Sequence, residues 1–358
     1  MKHYDVVVVG AGIVGAAVAR ELTRRSLRVG IVERDRPCAG ASGACNGGIS
    51  YLGKTGEDLT RTVESLRLYR QLAGELGLGD AIDQSRPMIL LGKTEEDRNL
   101  LQERVNACHQ AGLDATFLVK DDLHRLVPAL DPSVCWGAVA FGDLQGVVNP
   151  FRVTFGLLED ALKRGAELLS GEVCGWLLQG ERVLGVRTGG ESYGADAVVN
   201  CAGDRADDVW RELGIHMGIE PVQGVVLVTD RYPKRFPGSL MNVEFLRNNP
   251  PEVSLAIEQT LEGNILIGAS KIRNRPERIV DRGIGERIAA YASGYVRGLE
   301  DLQVIRSYAG HRATREGGAF VGQIPSVEGL YGAVGFGGGG ITLAPWAGQV
   351  MGDIFEQR

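Results

Sequence analysis

The chain has 358 residues, of which 44% are hydrophobic and 23% are charged, and this composition is ordinary for a soluble globular protein. The net charge of −6 comes without a long run of one sign, so the clustered basic surface that nucleic acid requires is not expected. No segment reaches about 18 consecutive apolar residues, which argues against a membrane span. A strand pattern begins almost at the N-terminus and leaves no room for a signal peptide, so we expect a cytoplasmic protein.

The six cysteines show no metal-binding spacing. None belongs to a C-x-x-C pair and no histidine cluster accompanies them, so we expect neither a zinc nor an iron–sulfur site. In a reducing compartment these thiols would be free. The 51 glycines are about twice the usual share of roughly 7%, which suggests tight turns or backbone that approaches a ligand closely.

The first unit of the chain, YDVVVVGAGIVGAAVARELTRRSLRVGIVERD, carries the strongest pattern. Residues 4–9 predict a strand buried on both faces. The alanine-rich residues 16–25 predict a helix, and residues 28–32 predict a second strand that leads into Glu33. The glycines before the helix have the spacing G-x-G-x-x-G, and the acid follows about 20 residues later. This arrangement predicts a dinucleotide-binding site, and a glycine-rich turn in an unrelated α/β protein is the alternative.

Each glycine of this motif has a physical role. Gly10 permits a tight turn, Gly12 lets a pyrophosphate approach the backbone, and Gly15 lets helix and strand pack closely. Free N–H groups at the helix start hold phosphate. Glu33 can accept both ribose hydroxyls, which favours NAD or FAD over NADP. The predicted cofactor contacts in this unit are Gly10, Ala11, Gly12, Ile13, Val14, Gly15, Glu33 and Arg34.

The next loop, RDRPCAGASGACNGGIS, resembles that of FAD-dependent oxidoreductases of the D-amino-acid-oxidase (DAO) type, which include glycine oxidase and the sarcosine oxidase β subunit. In that family a small-residue loop wraps the pyrophosphate and ribityl chain of FAD. The resemblance implies FAD contacts from Ala41, Ser42, Gly43, Asn46, Gly47, Gly48 and Ile49. Taken alone, this loop would fit the protein surface equally well.

Three later segments match the family in order, so that the resemblance covers nearly the whole chain. GVVNPFRVTFGLLEDALKRGAELLSGEVCGW resembles a helix followed by a strand, and it implies that Val173 meets adenine. GADAVVNCAGDRADDVW resembles a stretch in which Cys201, Ala202 and Gly203 lie near the dinucleotide. The third segment runs from Tyr308 to Pro345 and resembles the C-terminal block of the family.

That block contains VGFGGGGITLAP, residues 334–345, ahead of a predicted helix. One explanation for these glycines is a flexible linker. The other is that they let the flavin ring approach the helix N-terminus. Backbone N–H groups of about residues 339–342 would then face the flavin N1/C2=O edge and stabilise its anionic reduced form. Pro345 is expected in the first helical turn, where a missing N–H costs nothing. The implied contacts are Gly338, Gly339, Gly340, Ile341 and Thr342.

Arg312, in AGHRATREGG, is the candidate for binding substrate. In amino-acid-oxidising members of the family an arginine at this point pairs with the substrate carboxylate, and a planar guanidinium suits that bidentate pair better than lysine does. A structural arginine is the alternative. His311 is a weaker candidate, because a buried histidine without a chemical role would fit as well. Further candidates for the pocket wall, each of which packing would also explain, are Tyr51, Met241, Asn242 and Tyr308.

Two departures from oxidases of this family refine the prediction. Residues 312–320 lack the cysteine through which some members attach flavin, so FAD is expected to bind non-covalently. The oxygen-activating lysine of those oxidases corresponds to Leu266 in GNILIGASK, which favours a dehydrogenase over an oxidase. The electrons would then pass to an external acceptor or to a partner subunit.

The resemblance implies an α/β fold with an α+β substrate domain, that is, a Rossmann-like FAD-binding domain with an inserted antiparallel-sheet substrate domain. We expect the FAD-binding domain to comprise residues 1–80, 146–214 and 306–358, and the substrate domain residues 81–145 and 215–305.

The implied reaction is oxidation of the C–N bond of an amino acid or N-substituted amino acid. A hydride passes to flavin N5, and the resulting imine hydrolyses. Three alternatives stay open: a 2-hydroxy-acid or glycerol-phosphate dehydrogenase, an FAD-bearing β subunit of a larger electron-transferring dehydrogenase, and a non-flavin NAD dehydrogenase.

Overall fold

The computed structural model describes residues 1–131, 133–134, 137–142, 144–247 and 250–357. The helices are α1 (Ile13–Arg24), α2 (Gly56–Glu75), α3 (Glu95–Gln110), α4 (Lys120–Leu126), α5 (Pro150–Lys163), α6 (Ala206–Trp210), α7 (Arg282–Ser293) and α8 (Gly340–Glu356). The strands are β1 (Lys2–Val9), β2 (Val29–Glu33), β3 (Gly48–Ile49), β4 (Ile82–Asp83), β5 (Met88–Gly92), β6 (Ala115–Leu118), β7 (Gly137–Phe141), β8 (Gly146–Val148), β9 (Glu167–Ser170), β10 (Val173–Gln179), β11 (Arg182–Thr188), β12 (Ser192–Asn200), β13 (Glu220–Arg231), β14 (Ser239–Asn242), β15 (Val253–Gln259), β16 (Asn264–Ser270), β17 (Val304–Thr314), β18 (Phe320–Gln323), β19 (Leu330–Val334) and β20 (Phe336–Gly337).

The first large sheet has β1 at its centre. Its strand order is β10-β11-β12-β1-β2-β9, and β19 and β18 continue it beside β12. β1 pairs in parallel with β2 and β12. Val6 and Val8 pack into one hydrophobic cluster and Val7 and Val9 into another, on the opposite side of the strand. The predicted burial of this strand on both faces is confirmed.

The second large sheet is mostly antiparallel, with the order β20-β17-β13-β16-β15-β14-β5-β7-β6. One face packs against α7, where Ile284 and Ile288 share a hydrophobic cluster with Leu227 of β13 and Ile267 of β16. The other face carries smaller and less continuous apolar groups, and it forms one wall of the cavity described below. A three-stranded sheet, β3-β8-β4, is separate from both.

Close packing at the turn from β1 to α1 explains two of the motif glycines. Gly10 has a φ of +101°, and a Cβ there would lie 2.8 Å from the carbonyl oxygen of Cys201. A Cβ on Gly15 would lie 1.9 Å from the carbonyl oxygen of Gly10. The helix begins at Ile13, earlier than the predicted residue 16, because the backbone of the glycine turn itself leads into the first helical turn.

Pro345 lies in the second turn of α8, so its predicted place in the first turn is wrong. The helix begins at Gly340, and residue 345 would ordinarily donate its N–H to the carbonyl of Ile341. Proline has no N–H to give. The Tyr69 hydroxyl of α2 donates to the Ile341 carbonyl instead, which leaves that acceptor satisfied.

Ser65 of α2 makes a second bridge to the same part of α8. Its Oγ accepts from the N–H of Trp346 at 3.1 Å and donates to the carbonyl of Thr342 at 2.7 Å. The hydroxyl therefore completes the helical hydrogen bonding on the residue that follows the proline. Two polar side chains of α2 thus hold the beginning of α8 in place.

The sheets follow the predicted domain ranges with one exception. β1, β2 and β9–β12 fall in the ranges predicted for FAD binding, whereas β5–β7 and β13–β16 fall in the substrate ranges. β17 and β20 belong to the second large sheet although the range 306–358 was assigned to FAD binding. The division into two domains stays a prediction.

None of the helices in the described part of the chain combines the length and the apolar character needed to cross a membrane.

Candidate functional site

A cavity of about 580 Å³ is lined from both large sheets. The carboxyl ends of β1 and β2, the loop after β2 and the start of β10 form one wall. Parts of β13, β16 and β17 form the opposite wall, and residues 335–343 line the space between them. Ligands of open α/β sheets bind outside the carboxyl ends of the strands, which is where this cavity lies.

Most of the residues predicted to contact the cofactor or substrate meet in this cavity, although they come from distant parts of the chain. Those that line it are Gly10, Gly12, Ile13, Val14, Glu33, Arg34, Ala41, Ser42, Asn46, Gly48, Val173, Cys201, Ala202, Gly203, His311, Arg312, Gly338, Gly339, Gly340, Ile341 and Thr342.

Five predicted residues lie behind this lining: Ala11, Gly15, Gly43, Gly47 and Ile49. Ala11 and Ile49 are fully buried in the hydrophobic core. A Cβ on Gly43 would lie 2.3 Å from the carbonyl oxygen of Cys38, and one on Gly47 would lie 2.2 Å from that of Val148. These residues shape the loop and the turn whose neighbours form the wall.

Glu33 presents its carboxylate to the cavity at the end of β2. Its Oε2 accepts from the N–H of Ala11 at 2.7 Å, and its Oε1 accepts from the N–H of Asp35 at 2.9 Å. Each carboxylate oxygen has a further lone pair. The two backbone bonds therefore orient the carboxylate and leave it able to accept ribose hydroxyls.

The start of α8 offers fewer backbone donors than the sequence predicted. The N–H of Gly339 donates to the carbonyl of Phe336 at 2.9 Å, so it is already used within the turn. The residue before the helix, Gly339, has no side chain with which to cap the first turn. The donors at this helix N-terminus are therefore those of Gly340, Ile341 and Thr342.

Arg312 lies on β17 with its side chain crossing the neighbouring strand. A Cβ on Gly224 of β13 would lie 2.5 Å from Nη1 of Arg312, so the glycine leaves room for the guanidinium. Nη1 donates to the carbonyl of Ser270 at 2.8 Å. Burial lowers the pKa of this guanidinium from its ordinary value, and no carboxylate of the described residues pairs with it. A guanidinium has five N–H donors, which leaves several for a ligand.

His311 lies on the opposite face of β17, because successive side chains of a strand alternate. Its Nδ1 is 2.9 Å from Oδ2 of Asp204, which also pairs with Arg278 at 3.1 Å. The side chain of His311 is buried, and Nε2 has no hydrogen-bond partner among the described residues. His311 is thus separated from the guanidinium of Arg312, and its predicted contact with substrate stays a prediction.

Of the four suggested pocket residues, only Met241 lines the cavity. The hydroxyl of Tyr51 donates to a backbone carbonyl at 3.0 Å, and Asn242 donates to the hydroxyl of Tyr291 at 2.8 Å. The hydroxyl of Tyr308 donates to the carbonyl of Cys45 at 3.4 Å. Packing and local hydrogen bonds therefore account for the other three.

The sequence did not point to Glu258, which is buried on β15 behind Gly48. Its Oε2 accepts from the hydroxyl of Ser239, and its Oε1 has no partner in the described part of the chain. Burial raises the pKa of this carboxyl to about 8.

The sequence analysis also missed Asp204 and Arg278, which line the cavity. Asp204 directly follows the predicted contact Gly203, which is a usable signal, whereas nothing local marks Arg278.

A model of the FAD dependent oxidoreductase family, DAO, matches residues 5–354. The chain belongs to this family. The DAO resemblance inferred from the sequence is confirmed, and so is FAD as the cofactor, which rules out the NAD alternative. The mixed α/β architecture is likewise that of the DAO fold.

Relatives of this DAO-family protein cover almost its whole length. Glycine oxidase of Geobacillus kaustophilus (strain HTA426) is 28% identical over 370 residues, which span 100% of this chain and 94% of the relative. Subunit HcnC of the hydrogen cyanide synthase of Pseudomonas aeruginosa is 27% identical, with 100% and 93% covered. The crystal structure of glycine oxidase from Geobacillus kaustophilus superposes with a TM-score of 0.90 at 25% identity and covers 100% of this chain and 96% of that one.

The residues of this DAO-family cavity fit FAD. Helix α1 starts at the cavity near Glu33, and α8 starts at it near Arg312, so two helix N-termini open onto the cavity. A Cβ on Gly338 or Gly340 would have no neighbour closer than 3.6 Å, so the chain itself does not crowd the second helix start. Residues 10–14 would hold the pyrophosphate, Glu33 the ribose, Val173 the adenine and residues 338–342 the flavin.

Proposed function

We propose that this protein oxidises the C–N bond of an amino acid or N-substituted amino acid, giving an imine that hydrolyses. Bound FAD supplies the acceptor for the hydride that leaves the substrate carbon. The relatives named glycine oxidase support a C–N donor. They also make FAD-dependent oxidation of an amine a better fit than oxidation of a hydroxy acid.

The observation that carries this proposal is the unpaired guanidinium of Arg312 in the cavity wall. A partly buried cation without a carboxylate partner is costly unless a ligand supplies the negative charge. Arg312 lies beside Gly338, since a Cβ on that glycine would be 3.6 Å from Cδ of Arg312. A substrate carboxylate bound to Arg312 would therefore be adjacent to the predicted flavin position.

The chain contributes binding and orientation rather than bond-breaking groups. Arg312 would hold the carboxylate through paired N–H donors, which fixes the Cα–H bond relative to the cavity wall. The apolar side chains of Val226 and Leu266 line the same wall and keep water away from the reacting carbon.

Leu266 supports a dehydrogenase rather than an oxidase. Its side chain is 8% exposed and lies in an apolar cluster at the cavity, so no ammonium group stands at this position. Electrons would leave the reduced protein to an acceptor other than oxygen. The expected result is that reduced protein reacts slowly with oxygen and quickly with an artificial acceptor dye in stopped-flow experiments.

The test of substrate class is anaerobic reduction of the FAD-loaded protein, followed by its visible spectrum. The panel would contain glycine, sarcosine, proline, hydroxyproline, D-amino acids and 2-hydroxy acids. Bleaching by an amine supports the proposal. Bleaching by 2-hydroxy acids alone, with every amine inert, would overturn it.

Arg312→Ala should weaken binding of the reactive amine by about 10- to 100-fold, because a charge-assisted hydrogen bond is lost. FAD should stay bound, as judged by the flavin-to-protein absorbance ratio after gel filtration. Gly224→Ala keeps the arginine but places a Cβ 2.5 Å from Nη1, so we expect a smaller loss of affinity. Arg282→Ala, at a side chain that is 93% exposed on α7, is the control. Unchanged substrate kinetics in Arg312→Ala would remove Arg312 from this role.

A further inference from the structure

Lys271 directly follows β16 and lies beside the same cavity. Its Nζ is 4.7 Å from the centre of the Phe245 ring, and Phe245 lines the cavity. The preceding residues Gly268 and Ala269 line it as well. A lysine over an aromatic ring is held in place by the attraction between a cation and the ring face. Lys271 itself does not line the cavity, so the Phe245 ring holds its ammonium group directly behind the lining.

The charges around Lys271 are positive. Burial lowers its pKa from the ordinary value, and repulsion from Arg312 and then Arg273 lowers it further. Arg273 has its own partner, because it pairs with Glu220. No carboxylate of the described residues forms an ion pair with Lys271. Half-burying an ammonium group whose charged neighbours are cations is unfavourable unless an anion joins them.

Lys271 and Arg312 converge on the same end of β16. Arg312 donates to the carbonyl of Ser270, and Lys271 is the next residue along the chain. The wall between them and β15 is built from small residues, since Gly268 and Ala256 both line the cavity. A ligand that is held by Arg312 and extends along this wall would therefore approach Phe245 and the ammonium group behind it.

We propose that Lys271 and Arg312 form a two-cation subsite and that the substrate is an amino acid with a second carboxylate. This inference rests on the proposed function above. Two substrate types share the required chemistry: an N-(carboxyalkyl) amino acid, and an amino acid whose side chain is acidic. Arg312 takes the carboxylate next to the oxidised carbon, and Lys271 takes the second carboxylate.

Lys271 changes no bond in this reaction. Bound FAD would accept the hydride from Cα, while the nitrogen lone pair forms the C=N bond and the N–H proton passes to water. Hydrolysis of the imine then releases an amine and a carbonyl acid. The ammonium group of Lys271 acts on binding and orientation alone, so removing it should affect dicarboxylates much more than monocarboxylates.

The equilibrium test uses unreactive ligands and the FAD-loaded protein. Acetate, malonate and succinate would be titrated while the perturbation of the flavin spectrum is recorded. We expect malonate or succinate to bind about 10-fold or more tightly than acetate. Lys271→Met should remove this preference and leave acetate binding within about twofold, whereas Lys271→Arg should keep it. Lys163→Met, which removes an exposed charge on α5, is the control.

The kinetic test compares anaerobic reduction by glycine, sarcosine, iminodiacetate and both enantiomers of aspartate. Faster reduction by iminodiacetate points to the N-(carboxyalkyl) type, and faster reduction by an aspartate points to the acidic side chain. Either preference, abolished in Lys271→Met, supports the inference.

Two outcomes would overturn the inference while leaving the proposed function intact. One is equal use of monocarboxylate and dicarboxylate amino acids by both wild type and Lys271→Met. The other is a variant in which only the reaction of the reduced protein with oxygen changes, because that would assign Lys271 to a later step. If no amine in either panel reduces the protein but a 2-hydroxy acid does, the proposed function itself has failed.

Discussion

Two glycine-rich segments meet at the cavity, and their glycines are required for different reasons. In the N-terminal motif, a Cβ on Gly10 or Gly15 would lie 2.8 Å or 1.9 Å from backbone oxygen of the protein itself. In the C-terminal segment, a Cβ on Gly338 or Gly340 would meet nothing closer than 3.6 Å. The fold demands the first pair of glycines, whereas the folded chain alone would tolerate side chains at the second pair.

This contrast indicates that the second pair makes room for something that is not part of the chain. Within the same segment, Gly335 and Gly337 have φ values of +75° and +55°, so their backbone conformation already explains them. Gly338 and Gly340 lack that explanation. The flavin of the FAD cofactor is the group that we expect to occupy the space in front of them.

Gly15→Ala is the substitution in the N-terminal segment that should destabilise the fold most severely. The new Cβ would meet backbone in the tightest contact between β1 and α1, so we expect a loss of about 3 kcal/mol or more in the free energy of unfolding, or no folded protein at all. Urea unfolding of the FAD-free protein, followed by circular dichroism, measures it. Gly74→Ala on α2, where a Cβ meets nothing within 4 Å, should be neutral or stabilising by up to about 1 kcal/mol. A normal unfolding midpoint for Gly15→Ala would contradict the assignment of this glycine to the fold.

Glu258 extends the comparison to a further glycine, because a Cβ on Gly48 would have Oε2 of Glu258 as its nearest neighbour, at 3.6 Å. Burial raises the pKa of this carboxyl to about 8, whereas an unfolded glutamate titrates near pH 4.3. The folded protein therefore keeps a proton that the unfolded chain loses between these values. Stability should be fully present below about pH 4.3 and should fall by up to about 1.4 kcal/mol per pH unit as the pH rises toward 8.

Glu258→Gln should flatten this pH dependence and be more stable than wild type at pH 9, by a few kcal/mol. Urea unfolding at pH 5, 7 and 9 provides the measurement. Parallel pH profiles for the two proteins would show that the carboxyl of Glu258 is ionised in the folded state, which would contradict the raised pKa.

Gly338→Ala should have the smallest effect on the fold and should act on the cofactor instead. We expect the FAD-free protein to change by less than about 1 kcal/mol, because ordinary contacts are all that the new methyl group meets. The dissociation constant of FAD, measured by quenching of flavin fluorescence, should rise about 10-fold, since the methyl group occupies flavin space. Gly335→Ala is the matched control: its Cβ would lie 2.7 Å from Cβ of Arg315, so it should destabilise the FAD-free protein. Equal FAD affinity in Gly338→Ala and wild type would contradict the interpretation of the second segment.

Local patterns predicted the dinucleotide half well. The first strand, the glycine turn and Glu33 are neighbours in the chain, and their spacing alone specifies how they pack. Lys271 and Glu258 could not be found in this way, because their approach to the cavity depends on how β15, β16 and β17 pair across the second sheet. Arg312 was proposed only through the family resemblance. That Gly224 accommodates its guanidinium follows from strand pairing, which no short motif encodes.

The place of Pro345 was wrong for a related reason. A proline early in a helix is tolerated most easily in the first turn, and this preference placed Pro345 there although the helix start was expected near residue 340. The structure tolerates it one turn later because Tyr69 and Ser65, some 270 residues away in the chain, satisfy the exposed helical groups. Long-range partners of this kind override the local preference.

The hydrogen bonds from Ser65 and Tyr69 make α2 and the beginning of α8 a single cooperative unit. A fluctuation that opens α2 would break these hydrogen bonds and loosen the first turn of α8, which carries the N–H donors of Gly340, Ile341 and Thr342. A ligand held by those donors would, by the same coupling, slow amide exchange along α2, although α2 itself contributes little to the cavity wall. Ser65 and Tyr69 stabilise the start of α8, and through the same hydrogen bonds cofactor binding at α8 would stabilise α2.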